Sequence, residues 1–153
     1  MTYKWKPGKH SGEVPTRITP ALRHFAVELA GKDDFQFVPC EPMLDLGPLR
    51  CYQTCDTLQQ LLGFPPVLGY SFWTTNDLFL SAEHHCVSQK PNVELFDAGG
   101  DMSGCKHVLF VATETPEFLE DEHLEEIYAA GKGGGFKVLV DHPAIHRAVQ
   151  TLS

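Results

Sequence analysis

Four short runs of apolar and β-branched residues follow one another closely in the middle of the chain, and they constrain the fold more than any other feature. They are Val67–Trp73, Leu78–Ser88, Val93–Phe96 and His107–Ala112. Short polar or glycine-containing segments separate them. Such connections join neighbouring antiparallel strands, whereas a parallel pair needs a long crossover. The sequence therefore predicts an antiparallel meander in which successive strands are neighbours.

Capping residues and helical periodicity predict two helices before these strands. Thr19 is a typical N-cap residue, Pro20 suits the first helical position, and Gly31 would end the helix. A second helix is predicted to begin near Cys51 and to end at Gly63, with leucines along its core-facing side.

Further elements are predicted on either side of the central runs. They are a short strand at Phe35–Val38, an acidic helix at Thr115–Ala130, a fifth strand at Phe136–Val140 and a last helix from Asp141 to about Leu152. Helices before and after a run of strands indicate the α+β class. We expect an antiparallel sheet of four or five strands that packs against the helix bearing Cys51.

The length and composition of the chain are those of one globular domain. We expect a single domain over residues 1–153, with an extended arm at 1–18, a core at 48–112 and a helical extension at 115–153. The net charge of −8 argues against a nucleic-acid partner, because phosphate binding needs a basic surface. No apolar run is long enough to span a membrane, and no secretory signal follows the N-terminal lysines. We therefore expect a cytoplasmic protein with no membrane partner.

Cys51 is the first candidate for chemical reactivity. The chain has five cysteines, an odd number that favours free thiols over a disulfide framework. Cys51 is predicted at a helix N-terminus, where unpaired N–H groups and the helix dipole favour a thiolate. The same N–H groups could bind the oxyanion that forms when a carbonyl is attacked. The alternative is a small buried residue at a helix start.

His85 and Asp97 are the second and third candidates. His85 lies in the middle of a predicted strand, and alternation places Glu83 on the same side and His84 on the other. Asp97 ends the next strand, where its carboxylate could accept a hydrogen bond from the imidazole. A turn-capping role is the alternative for Asp97. The chain order of Cys, His and carboxylate suits a thiol hydrolase.

The sequence resembles a family of short, uncharacterised bacterial and phage proteins. Their pattern is a Cys with an Asn three residues later, then Gly-aromatic-x-x-Trp, then Glu-Ala-Glu-x-His-x-Val, and then a strand that ends in Asp. The matching segments here are Cys51, Gly69–Trp73, Ser81–Val87 and Leu95–Asp97, with His107–Val111 as a closing strand. The similarity covers about residues 48–112. Thr54 stands where the family has Asn, and Ser81 where it has the first Glu.

The order of elements is also similar to the papain-like fold, in particular to its compact NlpC-type branch. This resemblance implies a hydrolase or acyl-transfer enzyme in which Cys51 is the nucleophile, His85 transfers the proton and Asp97 orients His85. The expected partner is a peptide- or amide-containing substrate, and no cofactor is expected. Three residues are expected to line the substrate cleft: Tyr70, Trp73 and Glu83.

Two other interpretations remain open. The chain could be a non-catalytic binding module on a hydrolase-like fold, with the acidic helix and the basic arm as docking surfaces. It could also hold structural zinc through soft and imidazole ligands drawn from Cys51, Cys55, His84, His85, Cys86, Cys105 and His107. No Cys-x-x-Cys pair supports the zinc interpretation, and we expect no metal site.

Overall fold

The computed structural model describes residues 12–43, 51–99, 106–113, 125–126 and 129–152. Within these ranges it contains three helices, namely α1 (Pro20–Ala30), α2 (Cys51–Leu62) and α3 (Pro143–Leu152). The strands are β1 (Phe35–Pro39), β2 (Pro66–Thr75), β3 (Phe79–Gln89), β4 (Leu95–Phe96), β5 (His107–Ala112) and β6 (Gly134–Val138). The α+β class is confirmed. Most of the predicted acidic helix lies outside the described residues.

The two helices predicted before the strands are confirmed. At the start of α1, Thr19 Oγ1 accepts a hydrogen bond from the Leu22 N–H at 3.2 Å. Gly31 ends the helix in the left-handed conformation, with φ of 75°. Helix α2 begins at Cys51 as predicted, and Gly63 follows its last residue with φ of 72°. Across the described residues, no helix is both long and apolar enough to cross a membrane.

The six strands form one antiparallel sheet in the order β1-β5-β2-β3-β4, and β6 pairs with β3. The predicted meander is therefore wrong beyond β4, because β5 returns to pair with β2 and is flanked by β1 on its other side. The sheet also has six strands rather than four or five. Strand β4 pairs through only two residues, after which the chain turns away towards β1.

The two ends of the sheet meet where β4 ends. The Asp97 N–H donates to the Pro39 carbonyl, and the Glu41 N–H donates to the Asp97 carbonyl, each at 2.9 Å. Lys90 and Glu41 add an ion pair at 2.7 Å across the same junction. The sheet consequently curls on itself at this end, which brings residues distant in sequence together.

Each face of the sheet carries its own apolar cluster. On one face, Leu22, Phe25 and Ala26 of α1 pack against Tyr70, Phe72, Leu80, Ala82, Leu109 and Val111. The opposite face buries Val38, Trp73, Val87, Val108 and Phe110. Because side chains alternate along a strand, odd-numbered residues of β3 point to this second face.

Helix α2 packs at the edge of β3 between two short strands. Strand β6 pairs with residues 79–83 of β3, and β4 pairs with residues 88–89. On this side of β3, away from β2, no strand in the described part of the chain pairs with residues 84–87. Helix α2 packs beside these residues instead. Cys55 of α2 packs with Cys86, and Leu58 packs with Phe96. This packing places the N-terminus of α2 beside His85.

Candidate active site

His85 and Asp97 form a buried hydrogen-bonded pair. The β3–β4 register puts Phe96 opposite Ser88, so Asp97 comes opposite Val87. Val87 is two residues from His85 on β3, and the side chains of Asp97 and His85 therefore lie on the same face of the sheet. His85 Nε2 lies 2.7 Å from Asp97 Oδ2. Only 4% of His85 and 6% of Asp97 are exposed to solvent. The structure thus brings the Asp97 carboxylate onto the imidazole, and its role in orienting His85 for a reaction stays a prediction.

The surroundings of Asp97 favour its carboxylate form. The Gly99 N–H donates to Oδ1 at 3.1 Å, so both carboxylate oxygens accept a hydrogen bond. Burial by itself would raise the pKa of Asp97, but the charge of His85 and these hydrogen bonds hold the pKa below its usual value. The turn-capping role is therefore present as well: one oxygen caps the turn at Gly99 and the other binds His85.

Cys51 contacts the remaining side of the His85 ring. The Cys51 sulfur lies close enough to His85 for its charge to favour the protonated imidazole. Because Asp97 occupies Nε2, the nitrogen left for Cys51 is Nδ1. Burial alone would lower the pKa of His85, but Asp97 and Cys51 together raise it well above its ordinary value. An imidazolium between two acceptors is the state that this arrangement stabilises.

Cys51 also has nearby hydrogen-bond donors for a developing negative charge. It is the first residue of α2, and the first N–H groups of an α-helix have no acceptor within the helix. Such groups, at the positive end of the helix dipole, can bind an oxyanion that forms on an attacked carbonyl. Cys51 is half-buried and therefore keeps some access to solvent.

A second polar contact joins α2 and β3, and no sequence pattern predicted it. The Tyr52 hydroxyl lies 2.6 Å from His84 Nδ1 and 3.2 Å from the His84 carbonyl oxygen. The two rings stack with centroids 5.8 Å apart. Burial, with a smaller contribution from His85, lowers the pKa of His84 to about 4, so His84 is neutral at pH 7 and shares a hydrogen bond with the phenol. The one sequence signal was the adjacent pair of histidines on opposite faces of a strand.

Glu83 lies on the His85 face, as strand alternation predicted, and is 5% exposed. Ser71 Oγ donates to Glu83 Oε1 at 3.2 Å, and Trp73 Nε1 donates to Ser71 Oγ at the same distance. Burial raises the pKa of Glu83 to about 7, against the opposing effect of His85. The carboxyl group consequently changes its charge near neutral pH.

Tyr70 and Trp73 are buried in the sheet, on opposite faces. Tyr70 belongs to the cluster beneath α1, and its hydroxyl donates to the Lys132 carbonyl at 2.6 Å. Trp73 is 1% exposed in the other cluster. The structure brings Cys51, His85 and Asp97 together and sets Glu83 on their face, but it places Tyr70 on the opposite face. The lining of a substrate cleft by these residues stays a prediction.

Gly69 allows an aromatic ring to reach the site. It pairs directly with His85 across β2 and β3. A Cβ atom at this position would lie 2.6 Å from Phe110 Cζ and 2.1 Å from the Val111 carbonyl oxygen. The Phe110 ring therefore occupies the space above Gly69, with its centroid 6.4 Å from that of His85. It covers His85 on the side of β2.

Among the residues that the structure describes, no group of three or more His, Cys, Asp or Glu side chains is arranged to hold a metal ion. His107 is exposed and packs edge-on against Phe37. Cys105, the other distant ligand of the zinc interpretation, lies outside the described residues.

No family model matches the chain, and no curated protein or solved structure is significantly similar to it. The assignment of the site consequently depends on the geometry and chemistry of its own residues.

Proposed function

We propose that the protein is a cysteine hydrolase or acyl-transfer enzyme that acts on an amide or related acyl bond. The observation that carries this proposal is the buried 2.7 Å hydrogen bond between His85 Nε2 and Asp97 Oδ2, with Cys51 on the other side of the same ring. A nucleophile in contact with a base, and a base oriented by a third group, is the arrangement that covalent acyl transfer needs.

The proposed reaction proceeds in two steps. The Cys51 thiolate attacks the substrate carbonyl carbon, and the amide N–H groups of the first turn of α2 bind the oxyanion. The C–N bond then breaks as the His85 imidazolium gives its proton to the leaving nitrogen, which leaves a thioester on Cys51. His85 next takes a proton from water, the hydroxide attacks the thioester, and Cys51 departs as a thiolate. No cofactor takes part.

The chain order and placement of these residues also support a papain-like arrangement. Cys51 begins a helix, His85 lies on the adjacent sheet, and Asp97 follows the neighbouring strand. Asp97 orients the ring through Nε2, and Nδ1 is the nitrogen directed to the sulfur. Because the Asp97 carboxylate accepts a hydrogen bond from Nε2, neutral His85 keeps its proton on Nε2, and Nδ1 is the nitrogen that exchanges a proton with Cys51 or the substrate.

The test is the rate at which a thiol-directed electrophile such as iodoacetamide labels the native protein. We expect Cys51 to be labelled first, with Cys40, another half-buried cysteine, as the internal reference. At pH 7, His85→Ala should slow the labelling of Cys51 about 10-fold or more, and Asp97→Asn should slow it by less. Cys55→Ala should leave this rate unchanged.

Two other outcomes would reject the proposal. If Cys51 reacts no faster than Cys40 and His85→Ala has no effect, the protein is better described as a non-catalytic binding module. If Cys51 reacts only after a chelator is added, and one metal ion is released per chain, the site binds structural zinc.

A further inference from the structure

Two more thiols lie directly beneath the candidate nucleophile. Cys55 is one helical turn beyond Cys51 on α2, and Cys86 follows His85 on β3 but points to the opposite face. Both are free, and they form one cluster with Leu68 against which Cys51 and Tyr52 pack. Their relative exposures are 2% for Cys55 and 1% for Cys86. The proposed acyl-transfer reaction uses neither of them.

The hydrogen bonds of this pair are unequal. Ser88 Oγ donates to the Cys55 sulfur at 3.5 Å, whereas the Cys86 thiol donates its proton to the Val87 carbonyl at 3.8 Å. The neighbouring Cys86 thiol and Ser88 hold the pKa of Cys55 below its ordinary value against the effect of burial, whereas burial raises the pKa of Cys86 well above its ordinary value. Cys55 is therefore the better nucleophile, and Cys86 keeps its proton.

We propose that Cys55 and Cys86 form a redox-active dithiol that hydrogen peroxide converts into an intrachain disulfide between α2 and β3. Because both sulfurs are buried, a bulky disulfide such as oxidised glutathione cannot attack them, and a small peroxide is the proposed oxidant. This inference is independent of the proposed function, since it does not require Cys51 to react.

The reaction takes two steps that balance. The Cys55 thiolate attacks one peroxide oxygen, the O–O bond breaks, and Cys55 sulfenic acid and hydroxide form; the hydroxide takes up a proton to become water. The Cys86 sulfur then attacks the Cys55 sulfur as its proton passes to the departing oxygen. The S–O bond breaks, a second water leaves, and the disulfide forms. In sum, two thiols lose two electrons to one peroxide.

The experiment uses the full-length Cys51→Ala protein, so that the candidate nucleophile cannot compete for the oxidant. This variant has four thiols, because the chain has five cysteines. After one equivalent of hydrogen peroxide, quenching and denaturation, we expect the titratable thiols to fall from four to two. Peptide mapping should identify one disulfide, which joins Cys55 to Cys86 and is reversed by dithiothreitol.

Control variants make the assignment specific. Adding Cys86→Ala should stop the reaction at a Cys55 sulfenic acid with no disulfide, whereas adding Cys40→Ala should leave the Cys55–Cys86 disulfide unchanged. The mapping of the Cys51→Ala protein decides the matter even if a further variant does not fold. Peroxide that leaves both Cys55 and Cys86 fully alkylatable, or a disulfide that involves Cys40 or Cys105, would overturn the proposal.

Discussion

The Tyr52 hydroxyl is held 2.6 Å from Nδ1 of His84. Tyr52 directly follows Cys51 on α2, and His84 directly precedes His85 on β3, so this contact joins the chain neighbours of the nucleophile and of its base. The phenol also lies 3.2 Å from the His84 carbonyl oxygen. The contact therefore limits how far the N-terminus of α2 can move relative to β3, and with it the distance between Cys51 and His85.

Tyr52→Phe should affect reactivity as well as stability. The substitution keeps the ring but leaves His84 Nδ1 buried without its hydrogen-bond partner, which should cost about 1–2 kcal/mol in the free energy of unfolding. We also expect iodoacetamide to label Cys51 several-fold more slowly at pH 7, because a 1 Å displacement is enough to weaken a catalytic contact. Urea denaturation and the labelling rate measure the two effects.

Tyr70→Phe is the matched control for this prediction. It removes a phenol hydroxyl that donates to the Lys132 carbonyl, and it keeps the ring and its edge contact with His84. We expect a similar loss of stability without a change in the rate of Cys51 labelling. Equal slowing by both variants would mean that the rate reports only general loosening of the fold.

Glu83→Gln should stabilise the protein at alkaline pH. Burial raises the pKa of Glu83 from 4.5 to about 7, so between these values the folded state holds a proton that the unfolded chain has lost. Stability therefore falls as pH rises through this window. The variant lacks this titratable group. The difference in the free energy of unfolding between the variant and the wild type should therefore grow in favour of the variant by about 2–3 kcal/mol between pH 4.5 and 8. Urea denaturation across that range measures it, with the exposed Glu94→Gln as the control.

His84→Gln should change the pH dependence in the opposite direction. Burial lowers the pKa of His84 from 6.5 to about 4, so between these values the unfolded chain binds a proton that the folded state does not. The contribution of neutral His84 to the free energy of unfolding is fully present above pH 6.5. It is lost as the pH falls towards 4, and the loss is about 3 kcal/mol at most. The variant should lose less stability on acidification. A loss as steep as that of the wild type would mean that His84 is not the titrating group.

Gly69→Ala should destabilise the fold and disturb the cover over His85. The new Cβ would lie 2.1 Å from the Val111 carbonyl oxygen and 2.6 Å from the Phe110 ring, so backbone and side chain must both move. We expect a loss of about 3 kcal/mol, at the upper end for an overpacked core. Gly135→Ala is the control, because its Cβ would meet only Phe25 and Leu29 at 3.7 Å or more. That variant should be as stable as the wild type in thermal denaturation.

Local features of the sequence were sufficient to predict the helices and most strands. Thr19 and Gly31 mark the two ends of α1 because capping involves only residues within one turn of the helix. The alternation along β3 likewise predicted that Glu83 and His85 share a face, because side-chain direction follows from position in a strand. The choice of Cys51, His85 and Asp97 as a candidate set also came from the sequence.

The strand order depended on contacts that no local pattern contains. Strand β5 pairs with β2 and with β1, although β4 precedes it in the chain. Short connections favour a meander, in which β5 would pair with β4. Instead, Asp97 at the end of β4 bonds to Pro39 at the end of β1, and β5 pairs with β1 and β2. Such pairings depend on the free energy of contacts between segments far apart in sequence, which propensity and periodicity do not measure.

The sequence by itself determined which residues could react and on which elements they lie, because caps, helical periodicity and strand alternation act over a few neighbouring residues. The tertiary structure alone decided that Asp97 reaches Nε2 of His85, that Tyr52 bonds to His84, and that Tyr70 and Trp73 lie in the core. Each of these depends on the register between two strands or on the position of α2 at the edge of β3. That register and that position result from the packing of the whole sheet.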